Sequence, residues 1–331
     1  MFWIMYGAKM NNVKVDNGPN FNKAWQAACH SNAKSRIVIP KGLFYTTQVN
    51  FQGPCRSKGP IIVQVKGTVK ADADPSSFPN MQWIMVEYVN NVIFLGTGGL
   101  LDGQGASSWL HNDCDTNPDC VLPPSNVYIY QSSNVVVKNL KSINPKGNNF
   151  QLDGGNNIVH LCSAGLRLTA PKDAPNTDGF HIENSTLVTI SKSVISSGGD
   201  CVSLGAGSTN IMIQNITCSS GSGNECGYLG KAANELEVKN INVRAVTLFD
   251  TEYGARFKTW VTPNPNQAHN ITFQDIVMNN VKNPIFLNQE LGQGSEYALA
   301  KAKGISSENQ RCPLREHQRC HDFGDRRNVQ V

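Results

Sequence analysis

No apolar run in the 331 residues approaches membrane-spanning length, and Phe2-Trp3-Ile4-Met5 is far shorter than the apolar stretch of a secretion leader. No membrane partner is expected, and no leader is visible in the sequence. The seven histidines, His30, His111, His160, His181, His269, His317 and His321, keep no metal-ligand spacing. The ten cysteines include no paired C-x-x-C of a zinc ribbon. No acidic cluster of the kind that holds calcium stands out, so neither a metal nor a cofactor is expected. Charged residues make up only 16% of the chain, with a formal charge of +4. Most of that excess belongs to the last thirty-one residues, where seven basic residues face four acidic ones. A solvated tail is the reading there, the rest is nearly neutral, and no nucleic-acid partner is inferred. Neither a composition break nor a series of long amphipathic helices divides the chain.

Gly, Asn and Ser are plentiful instead, and short apolar stretches recur with period two, which indicates many short strands joined by tight turns. Examples are Ile61-Ile62-Val63-Gln64-Val65, Val92-Ile93-Phe94-Leu95, Val135-Val136-Val137, Ile211-Met212-Ile213 and Ile271-Thr272-Phe273. Aligned on their first apolar residues, the strands at Val135, Ile158, Leu187, Ile211 and Leu236 are 23, 29, 24 and 25 residues apart. A repeat of that length is one coil of a solenoid. Asn91, Asn134, Asn157 and Asn210 directly precede strands, where Asn takes a left-handed turn conformation and stacks its amide between coils. The fold class predicted is all-β, a right-handed parallel β-helix. Phe21 to Cys29 carry the one helical spacing near the start and predict a short helix capping that end.

On such a stack, residues one coil apart in sequence become neighbours about 4.8 Å apart. Asp178 in Asn176-Thr177-Asp178-Gly179, Asp200 in Gly198-Gly199-Asp200-Cys201 and Ser222 in Gly221-Ser222-Gly223 follow one another at 22-residue intervals. They are predicted to form a ladder on one external face, continued by Arg256 and Lys258, which project to the same side of a strand. Two carboxylates facing two permanent cations point to chemistry on an acidic sugar, since Arg grips a carboxylate with two hydrogen bonds and Lys adds a mobile charge. The bland alternative for the two cations is surface pairing with Asp250 or Glu252.

These blocks, in this order, resemble the polygalacturonases of glycoside hydrolase family 28, whose pattern is N-T-D, D-D, G-H-G and R-I-K, with the plant exo-acting members nearest. The resemblance runs from about Tyr6 to Glu290 and takes in Leu101-Asp102-Gly103-Gln104-Gly105 with Trp109, and Asn283-Pro284-Ile285 leading to Gln289-Glu290. It implies an inverting hydrolase of α-1,4-linked galacturonate in pectin, with Asp178 and Asp200 as the water-activating carboxylates and Asn176, Arg256 and Lys258 on the substrate. It also implies a disulfide between Cys201 and Cys218, while Cys114 with Cys120 would close a local loop. The chain departs from the pattern at three positions: Gly199 replaces the proton-donating aspartate, Ser222 replaces the histidine, and Leu291 stands where an aromatic residue is expected. Strongly reduced activity is the expectation, because losing a general acid costs about 10²- to 10⁴-fold. The alternative is a catalytically inactive relative that binds pectin or oligogalacturonate.

Residues 1–290 are expected to form the β-helix and residues 291–331 a divergent, irregular segment. The even cysteine count leans toward disulfides and a secreted, cell-wall life. Sequons at Asn184, Asn215 and Asn270 permit glycosylation on that route. A monomer is expected.

Overall fold

The computed structural model describes residues 6–78, 82–112, 122–154, 162–163, 165–230, 232–260, 266–291 and 327–330. Its strands stack in parallel into three long sheets, and the chain visits the sheets in turn as it coils, giving a parallel β-helix wound in the right-handed sense that parallel crossovers take. The third sheet runs in chain order from Val49–Gln52 through Gln82–Glu87, Ser125–Tyr130, Phe150–Asp153, Phe180–Glu183, Asp200–Leu204, Gly223–Leu229 and Tyr253–Trp260 to Asn283–Leu291.

Alternation along each strand sends one set of side chains inward. Phe51, Val86, Ile129, Leu152, Ile182, Leu204 and Cys226 lie in one register column inside the coil, and all are buried. Phe150 stacks on Phe180 with ring centroids 5.3 Å apart. The register also gives the coil length. From Ile182 to Leu204 and from Leu204 to Cys226 one coil takes 22 residues, but 31 to Phe257 and 30 to Leu287. The longer coils lengthen both their strands, Val238–Phe249 and Tyr253–Trp260 among them, and the connection at 230–237 against 205–208, while paired strands stay in step.

Three strands, Thr209–Ser219, Val238–Phe249 and Ala268–Asn279, each pass around a corner of the coil. The first pairs at Met212 with Thr189 and at Thr217 with Val194, in separate strands of the coil below. Asn215 makes the bend with φ 54°, a left-handed conformation that Asn tolerates. Asn91, Asn134 and Asn210 take the predicted left-handed conformation, whereas Asn157 lies outside the described residues. The amides stack between coils: Asn134 donates to Asn90 at 2.8 Å, Asn240 to Asn210 at 2.9 Å and Asn270 to Asn240 at 2.6 Å.

The helix Gly18–Cys29 caps the first coil, as its spacing predicts, with Pro19 in its first turn. Trp25 stacks on Phe51 with centroids 4.8 Å apart and donates its indole N–H to the Gln52 carbonyl at 2.9 Å. A disulfide, Cys29–Cys55, fastens the helix end to the stack. At the other end Ile285 and Leu287 are exposed. Of the segment expected to be irregular, Leu291 ends a strand and Arg327–Gln330 pairs antiparallel with Ala268–Asn279; residues 292–326 and Val331 lie outside the described residues.

Candidate active site

Successive tight turns at 196–199, 219–222, 249–252 and 279–282 carry the chain from the second sheet into the third. They are tied coil to coil by backbone bonds, Ser222 N–H to the Gly199 carbonyl at 2.8 Å, Glu252 to Gly221 at 2.9 Å and Lys282 to Thr251 at 3.2 Å. Gly223, at the exit of one turn, has φ +89° and comes so close to the next coil that a β-carbon would lie 2.0 Å from the Tyr253 carbonyl oxygen.

Asp178 and Asp200 stand on adjacent coils there. The Gly179 amide donates to the Asp200 carbonyl at 2.8 Å and Phe180 pairs with Val202, so the 22-residue step predicted between the two acids holds. The third member of the predicted ladder does not. A bulge between Asp200 and Val202 makes Gly223 the partner of Asp200, and Ser222 falls one residue short, in the turn. Its surroundings are an open groove of about 580 Å³ that it lines with Lys172, Gly198, Glu252 and Lys282.

Arg256 and Lys258 also differ from expectation. Register places Arg256 in the column of His181, Ser203 and Glu225, and it is only 9% exposed, against 7% for Asp200 and 4% for Glu225. The cluster is enclosed rather than external, because the long side chains fold over one another. Arg256 Nη2 donates to Asp200 Oδ2 at 3.0 Å and also to Glu225 Oε2, and Lys258 Nζ lies 3.0 Å from Glu225 Oε2. The Arg256 guanidinium sits 4.6 Å from the centroid of the Tyr253 ring. The acids that neutralise the cations are Asp200 and Glu225, not the neighbouring Asp250 or Glu252.

Asp178 is held at both oxygens. The Asp200 amide donates to Oδ1 at 2.8 Å and the Ser203 hydroxyl to Oδ2 at 2.7 Å. A hydroxyl has one proton to give, so the 2.8 Å contact between Ser203 Oγ and His181 Nδ1 requires the imidazole to donate there. His181, Ser203 and Asp178 thus form a directed chain. The Asn176 amide donates to Asn112 at 3.4 Å from a left-handed backbone, and Asn148 Oδ1 accepts from the Asp178 amide at 3.3 Å.

The three carboxyls differ in proton affinity. Burial raises Asp200 well above the ordinary carboxylate range, and the nearby Asp178 and Glu225 charges add to it more than Arg256 offsets. Burial raises Asp178 as well, moderated by His181, by the Ser203 hydroxyl and by the Asp200 amide. Glu225 is buried too, yet Arg256 and Lys258 overcome that and hold it below its usual value. Asp200 therefore holds a proton more readily than either of its two acidic neighbours, and Glu225 gives one up most readily.

Gly199 leaves no side chain beside this pair. A β-carbon there would lie 2.2 Å from Asp178 Oδ1, so the Asp178 carboxylate occupies the space into which a residue at 199 would project. Behind the site Cys201 is bonded to Cys218, and Cys226 is a buried thiol whose ionisation is suppressed by burial. Cys114 and Cys120 lie outside the described residues, as does the side chain of Leu291. Asp102 serves its turn, accepting from Gln104 and Asn144. Among the described residues no group of three or more His, Cys, Asp or Glu side chains could hold a metal ion, and no helix is long and apolar enough to cross a membrane.

The chain is similar to an exopolygalacturonase of Platanus acerifolia, 39% identical over 284 residues that cover 85% of this chain and 74% of that protein. It is similar also to an exopolygalacturonase of Arabidopsis thaliana, 36% identical over 272 residues, 82% of this chain and 63% of that one. In structure it resembles the endo-xylogalacturonan hydrolase from Aspergillus tubingensis with a TM-score of 0.77 at 23% identity, over 88% of this chain and 79% of the other. The family model for glycosyl hydrolases family 28 matches residues 29–309, and the chain belongs to that family.

Proposed function

We propose that the chain hydrolyses α-1,4-linked galacturonate in pectin with inversion, and does so slowly. The observation that carries this reading is the pair Asp178 and Asp200, on adjacent coils and joined through the 2.8 Å bond from the Asp200 amide, beside Arg256 and Lys258. Inversion needs one carboxyl that holds a proton for the leaving oxygen and one that takes a proton from water. With no side chain at 199, the two roles fall to the remaining pair. Asp200, whose proton affinity is raised further than that of Asp178, is the acid. Asp178, whose oxygens accept two hydrogen bonds and so favour ionisation, is the base, and the His181–Ser203 chain fixes its orientation. Arg256 and Lys258 form the seat for the C6 carboxyl group of a galacturonate unit, and the sugar chain lies in the adjoining groove, where Lys172 and Lys282 offer further positive charge.

Asp200 is enclosed, so the proton reaches the substrate only when the cluster opens, and turnover is correspondingly low. The same enclosure favours a second reading, a relative that binds oligogalacturonate without cleaving it. Reducing-end release from polygalacturonate separates the two. The wild-type chain should give slow release, reduced a further 10²-fold or more by Asp178→Asn; release unaffected by that replacement excludes the assignment.

The catalytic unit we assign to residues 1–290, with 291–331 a divergent segment, and the chain to the secreted proteins of the cell wall, acting as a monomer. Two disulfides, Cys29–Cys55 and Cys201–Cys218, suit an oxidising compartment. Asn184, Asn215 and Asn270 are all exposed, but Asn184 and Asn270 donate their amides to Asp153 and Asn240. Asn215 is the sequon best placed for glycosylation.

A further inference from the structure

Glu225 belongs to none of the motifs that mark the site, yet it makes more charged contacts there than Asp178 or Asp200. It is 4% exposed, it accepts from Arg256, and it lies 3.0 Å from the Lys258 ammonium. A carboxylate bound by a guanidinium and an ammonium is the arrangement a substrate uronate would need, and here the protein's own side chain supplies it. Asp200 takes a further bond from the same Arg256 nitrogen. Both cations are therefore already engaged by the protein's own carboxyls, with Asp178 a third acid close by. An added free carboxylate would sit against Glu225 in an enclosed, poorly screened place.

An uncharged polar group meets no such opposition. Arg256 Nε, enclosed in the cluster, has no hydrogen-bond acceptor among the described residues, so one fixed N–H is left for a carbonyl oxygen once the cluster opens toward the groove. We propose that Glu225 is a specificity-determining residue, filling the anion seat on Arg256 and Lys258 so that the subsite takes a galacturonate unit whose C6 carboxyl is esterified in preference to the free acid. This rests on the pectic reading given above.

The test is equilibrium binding by titration calorimetry at pH 7, using trigalacturonate and its fully methyl-esterified form, with the wild-type chain and Glu225→Gln. The wild type should bind the ester at least tenfold more tightly than the acid. In Glu225→Gln, affinity for the acid should rise tenfold or more, while that for the ester changes less than threefold. A general loss of packing would weaken both ligands together and could not invert their order. Should Glu225→Gln fail to fold, the wild-type preference alone decides, since tighter binding of the free acid overturns the assignment. Binding of both ligands with the same preference in both proteins also overturns it and leaves the pectic reading standing. Binding of neither ligand by either protein overturns both.

Discussion

Replacing Arg256 by Met should expose how the acidic cluster is held together. In the wild type one Arg256 nitrogen serves both Asp200 and Glu225, and each of the three residues is at most 9% exposed. Methionine fills much of the same volume but supplies neither charge nor donor, leaving Lys258 as the described cation beside Glu225. Removing one partner of a buried ion pair costs about 3 to 5 kcal/mol. With an unfolding entropy of about 2.1 cal/mol/K per residue, that is a fall of about 4 to 7 °C in melting temperature for a chain of this length. The pH dependence is the sharper part. Asp200 already binds its proton more tightly folded than unfolded, so its contribution to stability declines as pH rises through the range above the unfolded pKa. Glu225 has the opposite sign only because Arg256 and Lys258 lower its pKa; without Arg256, burial pulls it the same way as Asp200. The gap between Arg256→Met and wild type should therefore widen from pH 4.5 to pH 8, as measured by thermal melts followed by circular dichroism. A gap that is constant over that range, or below about 1 °C throughout, would refute the reasoning.

Lys146 is 2% exposed and donates to the carbonyls of Asp72 and Gly103, and burial pulls its pKa down to about 8. The unfolded chain then holds that proton more firmly, so wild-type stability should rise by about 3 kcal/mol relative to Lys146→Met between pH 8 and 10.5, read by urea unfolding at the two ends of the range; parallel pH curves for the two proteins would contradict this. Gly199→Asp should push Asp178 off its bonds to the Asp200 amide and Ser203, an overpacking worth about 1 to 3 kcal/mol or about 1 to 4 °C in melting temperature. An unchanged melting temperature would mean that Asp178 does not fill that space.

Much of the fold was legible because its rules are local. Period-two stretches, bend asparagines and a short apolar helix each declare themselves within a few residues, and Asn91, Asn134 and Asn210 adopt the backbone their positions suggested. The alignment of strands by first apolar residue was less sound. Leu187 and Leu236, counted as such first residues, are 44% and 63% exposed, and the strands begin later, at Thr189 and Val238. An exposed leucine beside a turn has the same letter as an inward one, and only pairing with the next coil tells them apart.

The site shows the same division between what one segment contains and what two coils share. Asp178 and Asp200 are legible in their 22-residue step, and the step works because both sit two residues ahead of the paired Phe180 and Val202. Ser222 obeys the same arithmetic and misses the ladder, since a single bulge after Asp200 offsets the next coil by one residue. Glu225 is not legible in the sequence for the converse reason. It lies 22 residues beyond Ser203 and 44 beyond His181, neither of which belongs to a motif, and its meaning comes only from the arginine one coil later in the same column. The missing side chain at 199 and this unmarked glutamate then have a common physical consequence. Where residue 199 has no side chain, the Asp178 carboxylate fills the space, and where a substrate anion would meet Arg256 and Lys258, Glu225 is already bound. On the function proposed above, low activity is a property of carboxylates that have settled into one another's places, and it follows from the packing of the whole cluster more than from the absence of any one group.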